Sequence, residues 1–318
     1  MPLAIEDRGD RHPRDGAIVI AVVNNMPDRA LEATERQFAS LLGAAAGHLE
    51  VRLRRVSLPQ VPRGAQALEH IARGYFTVEE LLAEPPDALI VTGMEPRAPR
   101  LEDEPYWQSM VRLLQWAEAH TASSIWSCLA AHAAVQALTG VRRRRLPRKC
   151  FGIFEHRTLA AHELLRGVGS PLLTPHSRWN ELRIEDLENA QLEVLSASEA
   201  SGADLFVRAR RSLLVCFQGH PEYEDSTLLK EYRRDVGRFL RGEQEAWPTL
   251  PEGYFGERGL EALARYRQDV EAARDLARLA DFPTEALAAE LRAPWRAAAV
   301  AIYRNWLAHI AAVSARPR

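Results

Sequence analysis

Cys128 stands where a β-prone stretch, Ser123 to Ser127, gives way to an alanine-rich stretch typical of a helix. A free thiol is only weakly ionised near neutral pH, and the N-terminus of a helix stabilises its thiolate form. The unpaired N–H groups at the same helix end can also stabilise the oxyanion of a tetrahedral intermediate. This junction therefore predicts that Cys128 is a nucleophile.

A base and an orienting carboxylate follow a second apolar strand further along the chain, in His220, Pro221 and Glu222. Extended backbone around the proline places side chains two residues apart on the same side, so Glu222 can hold the ring of His220 in one tautomer. The imidazole can then accept the proton of the Cys128 thiol. Together the three residue types predict an enzyme that transfers acyl groups through a cysteine.

The other two cysteines lack this setting. Cys216 lies inside a continuous apolar strand and is predicted to belong to the core, and Cys150 follows the basic segment 142–149 without a helix directly after it. Taken alone, His220 could simply close a strand and Glu222 could be solvated. The combination with Cys128 is what indicates catalysis.

Composition and charge fit an ordinary globular protein of 318 residues, with 47% hydrophobic and 26% charged residues. The formal net charge of −2 offers no global attraction to nucleic acid or to an anionic membrane. Three cysteines without a framework spacing indicate a reducing compartment. Neither an apolar signal region nor a run long enough to span a bilayer is present, so we expect a cytoplasmic protein that binds neither nucleic acid nor membranes.

Short apolar strands alternate with helical segments through most of the chain. Strands that are apolar on both faces and separated by helices are typical of a mostly parallel central sheet with helices on both faces. The segments after three of these strands carry Gly93, Cys128 and His220, so the carboxyl edge of the sheet can gather them. Predicted strands span 17–23, 49–53, 88–93, 123–127 and the run around Cys216, and predicted helices span 29–42, 78–83, 107–119, the segment from Leu129 and 226–240.

Three parts follow from this pattern. Residues 1–15 are predicted to be a polar N-terminal tail, 16–245 an α/β catalytic domain and 246–318 a C-terminal helical appendage. The appendage would pack on the sheet domain or on another subunit, and we expect a homodimer. The run of four arginines at 142–145 is typical of a solvated loop, with phosphate contact as the alternative.

Several separated motifs resemble those of the homoserine O-succinyltransferases, a family with the class I glutamine-amidotransferase-like fold. The resemblance spans roughly residues 19–238, with a weaker match at Trp295-Arg296 and at Asn305-Trp306-Leu307. The matching motifs are Asn24-Asn25-Met26-Pro27, Thr92-Gly93, Tyr106-Trp107, Ser127-Cys128, Gly152-Ile153-Phe154-Glu155-His156, Pro175-His176-Ser177-Arg178, Gly219-His220-Pro221-Glu222-Tyr223 and Arg234-Asp235-Val236.

This resemblance implies that Cys128 takes succinyl from succinyl-CoA as a thioester and passes it to the hydroxyl of L-homoserine, a step of methionine biosynthesis. His220 would be the general acid and base, oriented by Glu222. Succinyl-CoA would be a co-substrate, with no further cofactor and no metal.

The same resemblance assigns residues to the substrates. Lys149, Ser177 and Arg234 match positions that hold the amino acid, and an arginine can grip an α-carboxylate with its planar fork. The oxyanion donors would be the backbone N–H groups of Leu129 and Met94.

The chain departs from the family pattern at two places. The loop after Thr92-Gly93 reads Met94-Glu95-Pro96-Arg97, which puts Arg97 where the family has a residue tied to the choice of acyl donor. Arg97 could bind the terminal carboxylate of a succinyl group, or it could point to solvent. An insertion of about residues 258–290 also distinguishes the C-terminal part.

Other functions stay open at this point. A homoserine or serine O-acetyltransferase would use the same machinery with acetyl-CoA. A glutamine-amidotransferase-like hydrolase would use the same three residue types, but its nucleophile turn normally has glycine two positions before and after the cysteine, where this chain has Trp126 and Ala130. The last alternative is a catalytically silent binding or structural protein.

Overall fold

A computed structural model describes residues 3–9, 16–271 and 274–315 of the chain. Its strands are β1 (Leu3–Glu6), β2 (Ile18–Val23), β3 (Val51–Val56), β4 (Ala88–Thr92), β5 (Ser123–Ser127), β6 (Arg144–Thr158), β7 (Leu172–Glu181), β8 (Glu193–Val194), β9 (Ser196–Ser198), β10 (Gly202–Ala203), β11 (Leu205–Ala209) and β12 (Leu213–Phe217).

Helices separate most of these strands. They are α1 (Asp28–Ala45), α2 (Ala65–Gly74), α3 (Val78–Ala83), α4 (Trp107–His120), α5 (Leu129–Thr139), α6 (Ile184–Asn189), α7 (Thr227–Leu240), α8 (Glu257–Glu271), α9 (Thr284–Ala288) and α10 (Arg296–Ser314). Short 3-10 helices span Leu101–Asp103, Glu163–Leu165 and Leu276–Asp281.

The central sheet has the strand order β1-β3-β2-β4-β5-β12-β11-β8. All pairs from β1 to β12 are parallel, and β11 runs antiparallel to both of its neighbours. Ser127 at the end of β5 stands in register with Thr92 of β4 and Phe217 of β12. The segments that begin with Gly93, Cys128 and Gln218 therefore leave the sheet at one edge, and the predicted α/β fold is confirmed.

The two faces of the sheet bury separate apolar clusters, because alternate strand residues point to opposite sides. Ile125 of β5 packs in the cluster that contains Phe38 of α1 and Trp306 of α10. Its neighbour Trp126 packs in the cluster that contains Leu113 of α4 and the alanines of α5. Helices thus cover both faces, which explains why the strands are apolar throughout.

A second, antiparallel sheet of order β10-β9-β6-β7 was not predicted. Its main part is the long hairpin of β6 and β7, whose register shifts between Arg145 and Cys150. The arginine run predicted to be a solvated loop lies at the start of β6. Its charged side chains gave no apolar alternation, and only pairing with β7 makes the segment a strand.

The described parts of the two terminal regions pack against the rest of the fold. Within the segment predicted to be a polar tail, Leu3–Glu6 forms the edge strand β1 and pairs with β3; the rest of that segment lies partly outside the described residues. In the C-terminal region, α10 packs against α1 and the central sheet. By contrast, α8 and α9 pack with α7 in a third apolar cluster.

None of the helices within the described ranges combines the length and the apolar character that crossing a bilayer requires.

Candidate active site

Cys128 occupies the sharp turn between β5 and α5. Its φ of 50° and ψ of −109° are unusual for a residue with a side chain, and such strain persists only where the surroundings impose it. Here the Cys128 N–H donates to the carbonyl of Phe217 at 2.7 Å, and the Cys128 carbonyl accepts from His132 N–H at 3.2 Å. The turn leaves the half-buried thiol beside the first turn of α5, as the sequence predicts.

His220 lies just beyond β12, and its side chain is hydrogen-bonded to that of Cys128. Its Nδ1 lies 2.8 Å from Oε1 of Glu222, so Nδ1 carries a proton and Nε2 is the nitrogen left for the thiol. The ring also stacks on Tyr223, with 4.2 Å between the ring centroids. The structure thus brings together the three predicted catalytic residues.

Charges around His220 control its protonation. Burial disfavours the charged ring, but the side chains of Cys128 and Glu222 outweigh burial and raise the pKa of His220 well above its usual 6.5. These contacts favour a protonated His220 ring, held between the Cys128 side chain and the Glu222 carboxylate. Glu222 Oε1 also accepts a hydrogen bond from the Ser127 hydroxyl at 3.4 Å.

Gly93 brings the loop after β4 against the start of α5. A Cβ atom at Gly93 would lie 2.5 Å from Cβ of Leu129 and 2.7 Å from the backbone nitrogen of Ala130. Only glycine permits this approach, which places the segment beginning at Met94 beside the helix N-terminus. The roles of Leu129 and Met94 as oxyanion donors stay predictions, and this approach supports them.

Two of the three predicted substrate residues meet at one carboxylate. Lys149 Nζ lies 2.7 Å from Asp235 Oδ2, and Arg234 Nε donates to Asp235 Oδ1 at 2.9 Å. Ser177 of β7 is half-buried and pairs in register with Phe151, two positions after Lys149. Arg234 also interacts electrostatically with Glu231, which accepts a hydrogen bond at 2.8 Å from the hydroxyl of Tyr223, the residue that stacks on His220.

Sequence reasoning gave Asp235 and Tyr223 no role, although both stand inside matching motifs. Asp235 is buried and holds two predicted ligands of the substrate. The available signal was the adjacency of Arg234 and Asp235, since a buried cation requires an anionic partner.

Arg97 is exposed in the structure. Its backbone N–H and that of Ala98 donate to Oε1 of the buried Glu104, which anchors the loop. Within the described ranges, the Arg97 guanidinium makes no hydrogen bond or ion pair. Its role in choosing the acyl donor stays a prediction.

His156, His176 and Asp204 form a buried group behind the His220 loop, with possible ligand atoms within 4.8 Å of one another. Arg178 Nε donates to Nδ1 of His176 at 3.2 Å. Burial and the charge of Arg178 hold the pKa of His176 well below its usual value, so the ring is neutral with its proton on Nε2. That nitrogen has no lone pair for a metal.

The same group is instead satisfied by hydrogen bonds. His156 Nδ1 lies 3.1 Å from the carbonyl of Phe154 and therefore carries the proton, which leaves His156 Nε2 to accept from His176 Nε2 at 3.2 Å. Asp204 Oδ1 accepts from the Gly219 N–H at 2.9 Å. The group supports the backbone that carries His220, and its donor set does not fit a metal centre.

The chain is similar to known proteins over most of its length. The sequence pattern of the family described as "Homoserine O-succinyltransferase" matches residues 5–316. A homoserine O-succinyltransferase of Rhodopseudomonas palustris is 46% identical over 302 residues, covering 95% of this chain and 91% of that protein. One from Bradyrhizobium japonicum is 41% identical over 305 residues, covering 95% and 93%.

Solved structures show the fold alone. A glutamine amidotransferase from Methylobacillus flagellatus superposes with a TM-score of 0.52 at 16% identity, covering 92% of this chain and 95% of its own. A glutamine amidotransferase from Thermotoga maritima gives a TM-score of 0.50 at 12% identity, covering 94% and 99%. With the sequence matches extending over nearly the whole length of the protein, the chain belongs to the homoserine O-succinyltransferase family.

Proposed function

We propose that this protein transfers the succinyl group of succinyl-CoA to the hydroxyl of L-homoserine through a thioester on Cys128. The observation that carries the proposal is the contact of Cys128 with His220, whose other ring nitrogen is held by Glu222 at 2.8 Å. This arrangement supplies a nucleophile, a proton carrier and an orienting carboxylate in the order that acyl transfer needs.

In the first half-reaction the Cys128 thiolate attacks the thioester carbonyl of succinyl-CoA. The carbonyl oxygen becomes an oxyanion beside the N-terminus of α5, where the Leu129 and Met94 N–H groups would stabilise it. When the tetrahedral intermediate collapses, the bond to the CoA sulfur breaks and the His220 imidazolium gives its proton to that sulfur. Succinyl is then bound to Cys128 and His220 is neutral.

In the second half-reaction the homoserine hydroxyl attacks the new thioester. Neutral His220 takes the hydroxyl proton as the C–O bond forms, and the Cys128 thiolate leaves, which restores the initial ion pair. Arg234 would bind the α-carboxylate of homoserine, with Lys149 and Ser177 as further contacts. The ion pairs of Asp235 with Lys149 and Arg234 support this assignment, because they hold both cations in place.

The remaining expectations belong to the same proposal. The reaction would serve methionine biosynthesis in the cytoplasm, with both substrates small molecules and no metal or further cofactor. We also propose a homodimer.

Mass spectrometry of the intact protein tests the proposal. Mixed with succinyl-CoA and no acceptor, the protein should gain the mass of one succinyl group, and homoserine should remove it as O-succinylhomoserine. Cys128→Ala is the control that should gain nothing. A faster adduct with acetyl-CoA would indicate an acetyltransferase, and ammonia release from glutamine would indicate an amidotransferase-like hydrolase.

A further inference from the structure

One arginine of the basic run 142–148 differs from the others. Four of them have a partner: Arg142 pairs with Glu102 at 2.7 Å, Arg144 with Asp186 at 3.4 Å and Arg148 with Glu252 at 3.8 Å, and Arg145 stacks over Trp179 at 4.8 Å. These four are exposed, whereas Arg143 is half-buried. In the described part of the chain, Arg143 makes no hydrogen bond or ion pair.

The surroundings of Arg143 include the nucleophile. Burial lowers the pKa of Arg143, and Tyr106, Cys128 and Glu104 lie near enough to oppose that shift. The Arg143 guanidinium is therefore within electrostatic range of the Cys128 sulfur. A half-buried cation that contacts no anion directly is costly unless an anion joins it during function.

Tyr106 supplies a second unsatisfied donor at the same place. The residue is 3% exposed, and its hydroxyl is buried without any hydrogen-bond partner among the described residues. Buried tyrosine hydroxyls normally find a partner, so this one is available to a ligand. A cation and an O–H donor near each other thus both lack a hydrogen-bond partner among the described residues, and the cation is within electrostatic range of Cys128.

We propose that Arg143 and the Tyr106 hydroxyl bind the terminal carboxylate of the acyl group that Cys128 receives. This inference rests on the proposed function and names the residues that recognise a dicarboxylic acyl group over acetyl. It assigns the carboxylate contact to the half-buried Arg143 in place of the exposed Arg97.

The chemistry of the two donors matches a carboxylate. Its two oxygens can accept from the planar guanidinium and from the hydroxyl together, and both bonds strengthen as the pocket loses water. Glu104, the nearby acid, accepts two backbone N–H groups from the loop through Oε1 and makes no direct ion pair with Arg143 among the described residues. An acetyl group has no carboxylate and would leave both donors unpaired.

Single-turnover acylation with each donor tests the proposal. Rates of adduct formation on Cys128 are measured with succinyl-CoA and with acetyl-CoA, and the ratio of the two rates is compared among variants. Loss of Arg143 could also weaken the thiolate, but that effect slows both donors equally and leaves the ratio unchanged. Arg143→Gln should lower the ratio about ten- to a hundredfold, which is the range for a charge-assisted hydrogen bond.

Further variants sharpen the test. Tyr106→Phe should lower the ratio of succinyl to acetyl rates by a smaller factor. Arg143→Lys should keep part of the preference for succinyl-CoA, and the matched neighbour Arg144→Gln should leave the ratio unchanged. A wild-type protein that succinyl-CoA does not acylate would overturn the proposed function and this inference together. If the wild type is acylated, an unchanged ratio in Arg143→Gln overturns the inference alone. Should that variant fail to fold, an unchanged ratio in Tyr106→Phe overturns it.

Discussion

Lys149 and Asp235, which lie 86 positions apart in the chain, form a buried ion pair with 2.7 Å between Nζ and Oδ2. Their side chains are only 7% and 11% exposed. The pair ties β6 to α7, and Arg234 extends it through its own bond to Asp235. One carboxylate therefore places both cations that we expect to meet the amino acid substrate.

Asp235→Asn should destabilise the protein more than Lys149→Met. The first change leaves a buried lysine without a carboxylate, which costs about 3 kcal/mol of unfolding free energy. After the second, Asp235 still has Arg234. Urea unfolding of both variants measures the difference, and equal losses would show that the ion pair does not govern stability here.

The same carboxylate should contribute to acid sensitivity. Burial alone would raise the pKa of Asp235, but Lys149 and Arg234 hold it below the usual 3.8. Because the pKa of Asp235 is lower in the folded protein, its ionised carboxylate stabilises the fold above pH 3.8. This contribution is lost as pH falls through the pKa that Asp235 has in the folded protein. The stability gap between wild type and Asp235→Asn should therefore be full at pH 6 and shrink below about pH 4.

Cys128→Ser should abolish both transfer and the acyl adduct, because a hydroxyl is far harder to ionise than a thiol. The matched controls are the other cysteines. Burial raises the pKa of Cys150 to about 11, and Cys216 is fully buried, so neither is prepared to react. Cys150→Ser and Cys216→Ala should still form the acyl adduct. Loss of the adduct in either variant would indicate that the substituted cysteine is the nucleophile.

Glu222 should act through His220. Glu222→Gln removes a carboxylate that raises the pKa of His220, so the imidazole should titrate at lower pH in this variant when followed by NMR. In the wild type the ring should stay protonated above pH 6.5. The stability that this ion pair adds is present below pH 6.5 and declines as pH rises through the native pKa.

Kinetics offer an independent check of that pairing. The double variant His220→Ala with Glu222→Ala should transfer acyl groups as slowly as His220→Ala alone. If the double variant instead shows the product of the two single-variant rate losses, Glu222 has a role that does not depend on His220.

Arg234→Ala should raise the KM for homoserine and leave acylation of Cys128 by the donor nearly unchanged, because the lost contact belongs to the second substrate. Separate measurement of adduct formation and of its discharge by homoserine decides this. A collapse of adduct formation would place Arg234 in the donor site or in the structural support of the catalytic residues.

Gly93→Ala should slow acylation by at least about a hundredfold, the effect of losing an oxyanion donor. The added Cβ would lie 2.7 Å from the backbone nitrogen of Ala130, so the loop must move away from α5. Gly169→Ala is the control, since an added Cβ there meets nothing within 4 Å. Normal acylation by Gly93→Ala would show that this loop does not contribute to the oxyanion site.

Local signals in the sequence were sufficient to predict that Cys128, His220 and Glu222 come together, and to predict the central sheet. Cys128 and His220 each follow an apolar strand, and parallel strands bring their carboxyl ends to one edge. The register of Ser127 with Thr92 and Phe217 is the direct consequence of that rule. The boundaries of α3 and β5 match those predicted, because their flanking residues carry clear start and stop signals.

Tertiary structure alone decided the contacts between distant residues without a local pattern. The β6–β7 hairpin has charged residues where a strand would show alternation, so only pairing makes it a strand. Trp306 of α10 donates from Nε1 to the Ser123 hydroxyl at 2.8 Å, which fastens the C-terminal helix to the strand before Cys128. Neither this bond nor the electrostatic interaction of Arg143 with Cys128 can be inferred from sequence spacing, since packing of the whole chain creates both.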